Sequence, residues 1–187
     1  MSRSSRTAST PAFRSTSPGA SALRTESIPA LLNRLGIEAS EHRRDGVIAW
    51  DLTLDGERRR DLKVTLIADP QPGGALIVWG HLAPPLGDGL RKAYRSLLEW
   101  NDRFTFAKFG IAPDGRPTLA VELPLESARD EDLSAALARV ALIADRLFDE
   151  TAAWIWIGGT PPADPDAERR NRPLLAAHPG LADRLEG

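Results

Sequence analysis

The chain contains no cysteine. That absence excludes a disulfide framework, a thiolate nucleophile and a zinc-thiolate centre, and it suits a cytoplasmic protein. Long apolar runs are missing too: none approaches the roughly 20 residues of a membrane span. No apolar stretch of the signal-peptide kind follows the basic N-terminus. Charge of one sign is also scarce, since a net charge of -2 and a pI near 5.9 supply no field able to hold a polyanion or an anionic membrane. Neither a membrane nor nucleic acid is therefore an expected partner.

The chemistry-bearing motifs are equally thin. His42, His81 and His178 are the only histidines, placed in a charged loop, at a strand end and in the C-terminal stretch. No HxxxH spacing links them, so no metal site is expected. There is no GxSxG elbow, and the serines gather near the N-terminus. The loops "DPQPGG" and "WIGGTPP" lack the Lys-Ser/Thr ending of a phosphate loop and read as turns. Asp51 and Glu122 lie within strands, where paired carboxylates can do acid–base work, but alternating neighbours make a solvated face the simpler account. The expectation is a non-enzymatic chain with no catalytic, metal or cofactor-binding residues.

What is present is a core. With 42% hydrophobic and 27% charged residues in 187, one soluble α+β domain with tails is the natural size. Residues 1–26 carry Arg3, Arg6, Arg14 and Arg24 among Ser, Thr, Ala and Pro, which predicts a disordered basic tail. A targeting peptide or a basic docking arm are the other readings. Ordered structure should start at Ser27, an N-cap with Pro29 in the first turn; Ile28, Leu31, Leu32 and Leu35 then share a face and Gly36 stops the helix. "VIAWDLTL" alternates as a half-buried strand, Asp55-Gly56 turns the chain, and "DLKVTLIA" and the more evenly apolar "ALIVWGHL" follow as strands. From Asp88 the period becomes helical, with Leu90, Ala93, Tyr94, Leu97, Leu98 and Asn101 on one face.

A hairpin comes next. A two-residue turn at Asp114-Gly115 would set Phe109 opposite Ala120 and split the apolar faces. A three-residue loop, Pro113-Asp114-Gly115 with Gly115 as the bulge residue, instead pairs Phe109 with Leu119 and Ala107 with Val121, and puts Lys108 diagonal to Glu122. A long helix capped near Asp130 keeps a stripe through Leu133, Leu137, Val140, Ala144, Leu147, Phe148, Thr151 and Trp154 until Gly158-Gly159. Residues 158–187, rich in Pro and charge, read as a C-terminal tail with at most short helical turns, leaving 27–157 as the domain.

The helix end "LLEWNDR", the strand "FAKFGI", the turn "PDGR", the strand "TLAVELPL" and the acidic start of an Ala/Leu-rich helix together resemble the YbjN family of the type III secretion chaperone-like fold. The resemblance implies helix, three strands, helix, two strands, helix, with the helices mainly on one face of an antiparallel sheet. It also implies a small homodimer that acts in sensory regulation or as a chaperone-like binder of an unknown client protein, without catalytic residues to carry over.

Candidate contacts follow from aromatic residues, which interfaces favour. They are Trp156, Trp154, Trp79, Trp50 and Phe106. Trp156 ranks first, because it lies about 200° from Trp154 around a helix. Arg58, Arg59 and Arg60 near Trp50 admit an alternative, a clamp for single-stranded nucleic acid. A small ligand or substrate between sheet and helix is the other alternative.

Overall fold

The computed structural model describes residues 22–87, 90–160 and 168–186; the expected basic tail falls almost wholly outside them. The chain runs α1 (Ile28–Arg34), β1 (Ala39–Arg44), β2 (Val47–Leu54), β3 (Leu62–Ala68), β4 (Ala75–His81), α2 (Leu90–Arg103), β5 (Lys108–Ile111), β6 (Pro117–Pro124), α3 (Asp130–Arg146), α4 (Phe148–Ile155) and α5 (Arg172–Ala176). The strands form one antiparallel sheet in the order β1-β2-β3-β4-β6-β5. Among the described residues no helix is long and apolar enough to cross a membrane.

Alternation decides which side of the sheet is covered. Trp50, Leu52, Val64, Leu66, Val78 and Val121 point to one side and are buried, joining Leu133, Leu137, Val140 and Ile143 of α3 in a single core cluster. Apolar area leaving water at about 25 cal/mol per Å2 holds this layer together. Gly80 lets α3 approach β4 closely, since a Cβ there would lie 2.9 Å from Val140 Cγ1.

The hairpin has the expected register: Phe109 pairs with Leu119 and Lys108 with Ala120. Ala112 N–H donates to the Arg116 carbonyl at 2.8 Å across the three-residue loop, and Gly115 takes φ +85. Ala107 falls just outside the strand. Lys108 Nζ reaches Glu122 Oε1 at 3.1 Å.

Five expectations are corrected. The charged stretch that holds His42 is not a loop: Ala39–Arg44 form β1, so four strands precede α2. Every residue of β1 is exposed, so no apolar alternation announces it; backbone pairing with β2 holds it. The buried face of α2 carries Ala93, Leu97 and Trp100, while Tyr94 and Leu98 are exposed; the apolar stripe is turned away from them. The chain does not reverse tightly at Asp55-Gly56. Residues 55–61 form a loop around Asp145 of α3, whose Oδ1 accepts the Arg58 and Arg59 N–H groups at 2.6 and 2.7 Å. The long helix is interrupted at Leu147, where ψ is 11°, dividing it into α3 and α4 without breaking the buried stripe. Finally, the stretch read as a C-terminal tail is packed over residues 168–186. Leu174, Leu181 and Leu185 join the core cluster. Asn171 closes a bidentate pair with the backbone of Asp55, accepting its N–H at 2.6 Å and donating to its carbonyl at 3.0 Å.

Candidate functional site

The second face of the sheet carries a pattern set by register. Reading across strands, one row runs Thr53, Lys63, His81, Thr118 and Gly110, and the next runs Ser40, Asp51, Thr65, Trp79, Ala120 and Lys108. A third runs His42, Ala49, Ile67, Ile77 and Glu122. The face is polar at the His81 end and apolar toward Ile67 and Ile77. A shallow cavity of about 280 Å3 opens beside Trp79, floored by Gly110, Thr118 and Ala120 and walled by Ile67 and Ile77. Small floor residues beside a large indole make a hole suited to an apolar side chain.

The polar end is a connected string. The Thr65 hydroxyl donates to Asp51 Oδ1 at 3.0 Å, and His42 Nε2 lies 3.2 Å from Asp51 Oδ2. Thr65 Oγ1 is also 3.3 Å from His81 Nε2. Because the single hydroxyl proton goes to the carboxylate, His81 must carry its proton on Nε2 to complete the contact. Its Nδ1 is then a bare acceptor, buried and without a hydrogen-bond partner among the described residues, a condition that costs about 1–3 kcal/mol. Burial, reinforced by the Arg116 charge, holds the His81 pKa below the ordinary histidine value, consistent with a neutral ring. The ring lies 5.5 Å from that of Trp79.

The sequence-derived candidates separate sharply. Trp50 is 1% exposed, a core residue whose Nε1 donates to Glu41 at 3.1 Å. Trp154 is half-buried and sits 5.3 Å from the Trp100 ring. Trp156 ends α4 in an extended conformation and is half-buried, 5.5 Å from the Phe148 ring. The chain itself thus supplies packing for the tryptophan ranked first. Phe106 is 81% exposed at φ +56, with the Arg139 guanidinium 5.3 Å from its ring. Trp79 alone of the five belongs to this second sheet face, which no described helix covers.

Trp50 and the three arginines do not form one surface. The Trp50 ring lies inside the core, and Arg58 is paired with Asp149 at 2.5 Å. Arg59 is buried, donating to Thr151 Oγ1 at 3.0 Å and to the Leu82 carbonyl at 2.5 Å; burial lowers its pKa to about 10. Arg60 lies 3.7 Å from the buried Asp55 carboxylate. No stacking platform for bases results. Among the described residues no group of three or more His, Asp or Glu is placed to hold a metal ion.

Ile67, Ile77, Thr65 and Ala120 were not singled out from the sequence. One signal was available: "ALIVWGHL" is apolar at both phases of its alternation. Leu76 and Val78 fill the core while Ile77 and Trp79 line the other side, and such a strand is ordinarily covered on both faces.

No curated protein matches the chain. The sequence profile of the YbjN family, described as "putative bacterial sensory transduction regulator", matches residues 25–153, from just before α1 into α4, and on that match the chain belongs to the YbjN family.

Proposed function

We propose that this chain is a non-enzymatic regulatory or chaperone-like module that binds another protein through the uncovered face of its sheet. One observation carries the reading: Ile67, Ile77, Trp79 and Ala120 lie together on a face that no described helix covers, beside a shallow cavity of about 280 Å3 with room for apolar side chains. Half-exposed apolar and aromatic groups rimmed by charge, here Lys108 and Glu122, have the composition of a protein contact surface. The family's description as a regulator of sensory transduction is compatible with action by binding. The four strands, helix, two strands and helix that follow α1 support the type III secretion chaperone-like arrangement as the finer description of the fold, and a cytoplasmic homodimer is the assembly we propose.

The test is Ile77→Arg, a change on the outer face that leaves the core residues in place. Wild-type and variant chains are immobilised, proteins retained from native lysate are identified by mass spectrometry, and each chain is sized by light scattering. The reading expects a partner retained by the wild type and lost by the variant at unchanged melting temperature. Identical partners for both chains would refute the assignment of this face. A wild-type mass near 20.3 kDa would refute the dimer while leaving the binding face to the retention result.

A further inference from the structure

The His81 end of the same face holds a second opening, a concavity of about 830 Å3. Lys63, Arg116 and Arg170 reach it from three parts of the chain, respectively β3, the end of the hairpin loop and the docked C-terminal segment. Only Glu38 and Asp51 oppose them among the lining residues. Several of these charges are already committed. Asp51 accepts the Thr65 hydroxyl and faces His42. Arg170 pairs with Asp61 and with Asp55. Lys63 is different: among the described residues its ammonium makes one hydrogen bond, to Thr53 Oγ1 at 3.1 Å, so two of its three donors have no acceptor there. Arg116 places Nε and Nη2 on the single Asp114 oxygen Oδ2, at 2.7 and 2.6 Å, leaving Nη1 without a partner among the described residues. The half-buried Trp79 indole forms part of the same wall.

Unused cationic donors beside an aromatic surface favour one ligand chemistry. An anionic oxygen would gain charge-assisted hydrogen bonds, and a flat apolar group would gain contact with the indole. We infer that this concavity binds a small organic anion with a flat apolar body, the anionic head held by Lys63 and Arg116 and the body lying against Trp79. The site goes beyond the protein-binding reading: the two share Trp79, but the anion-holding Lys63 and Arg116 lie outside the apolar patch of Ile67 and Ile77 and are tested separately from it.

The experiment is calorimetric titration of the full chain with phenyl phosphate, benzoate and inorganic phosphate. The expected result is saturable binding of at least one aromatic anion, weaker binding of inorganic phosphate than of phenyl phosphate, and an affinity loss of about tenfold or more, some 1.4 kcal/mol, in both Lys63→Met and Arg116→Met. The tighter of phenyl phosphate and benzoate identifies the head group as a phosphate ester or a carboxylate. Lys92→Met, a change outside the concavity, should bind like wild type. If Lys63→Met does not fold, Lys63→Gln replaces it, since an amide can still donate to Thr53. Absence of saturable binding at millimolar aromatic anion, retention of affinity in both variants, or inorganic phosphate binding as tightly as phenyl phosphate would each overturn the proposal.

Discussion

The side-chain amide of Asn101 pairs with the backbone of Phe109 in both directions: its Oδ1 accepts the Phe109 N–H at 2.8 Å and its Nδ2 donates to the Phe109 carbonyl at 3.2 Å. Phe109 is on β5, an edge of the sheet. An edge strand offers unpaired backbone groups to any other strand, and here α2 supplies the pairing from within the chain. Asn101→Ala should remove both bonds and cost about 1–3 kcal/mol. The denaturant midpoint should fall with its slope unchanged, and the variant should be more prone to aggregate. An unaltered midpoint would mean that water replaces the amide without loss.

Gly115 isolates backbone strain from packing. Its φ is +85, and a Cβ built there would meet nothing within 4 Å, so Gly115→Ala introduces strain and no clash. A loss of roughly 1 kcal/mol is expected, read as a lower denaturant midpoint. An unchanged midpoint would show that the loop relaxes to a conformation alanine accepts.

Asn171 repeats the Asn101 device against the backbone of Asp55. Its surroundings are more closed, since Asn171 and Asp55 are both 1% exposed. Asn171→Ala leaves a buried N–H and carbonyl unpaired and should cost about 2 kcal/mol or more. Removing residues 168–187 should cost more still, because Leu174 and Leu185 leave the core with it. Tryptic cleavage after Arg184 in the folded chain should be correspondingly slow; fast cleavage there at unchanged stability would show that the docked segment opens freely.

Acid should destabilise the fold in a window set by histidine. Burial holds the pKa of both His81 and His178 below the ordinary value, with Arg116 adding to the effect at His81. The unfolded chain therefore binds protons at these sites more readily than the folded chain. Their contribution is complete above about pH 6.5 and is lost as pH falls below it. The melting temperature should drop between about pH 7 and 5, and His81→Gln or His178→Gln should flatten that drop. Glu41, held low by Arg43, and Asp149, held low by Arg58, act in the same direction only near and below about pH 4. A flat profile from pH 7 to 5 would contradict the assignment to histidine.

Several elements of the molecule were determined by local pattern. Alternation in "VIAWDLTL" and "TLAVELPL" specified strands, because a residue on a half-covered sheet is buried or exposed according to parity. The hairpin register followed because one pairing of Phe109 keeps the apolar faces together. The stripe from Leu133 to Thr151 specified a helix against the core, and the break at Leu147 left that stripe intact.

Tertiary structure decided what depends on distant backbone groups. Strand β1 is exposed along its whole length, so its order comes from pairing with β2, and pairing leaves no mark on side-chain polarity. The exposure of Tyr94 and Leu98 depends on where α2 meets β5. Residues 168–186 looked like a tail because Pro173, Pro179 and Gly180 break up a charged stretch, although Leu174, Leu181 and Leu185 keep helical spacing. They are held by contacts to α2, α3 and the 55–61 loop. The uncovered face lies between these cases. Parity placed Trp79 opposite the phase of Val78 and beside His81, yet only the register across the sheet set it between Thr65 and Ala120. A strand's sequence specifies which of its residues share a face, and the neighbouring strands specify what that face becomes.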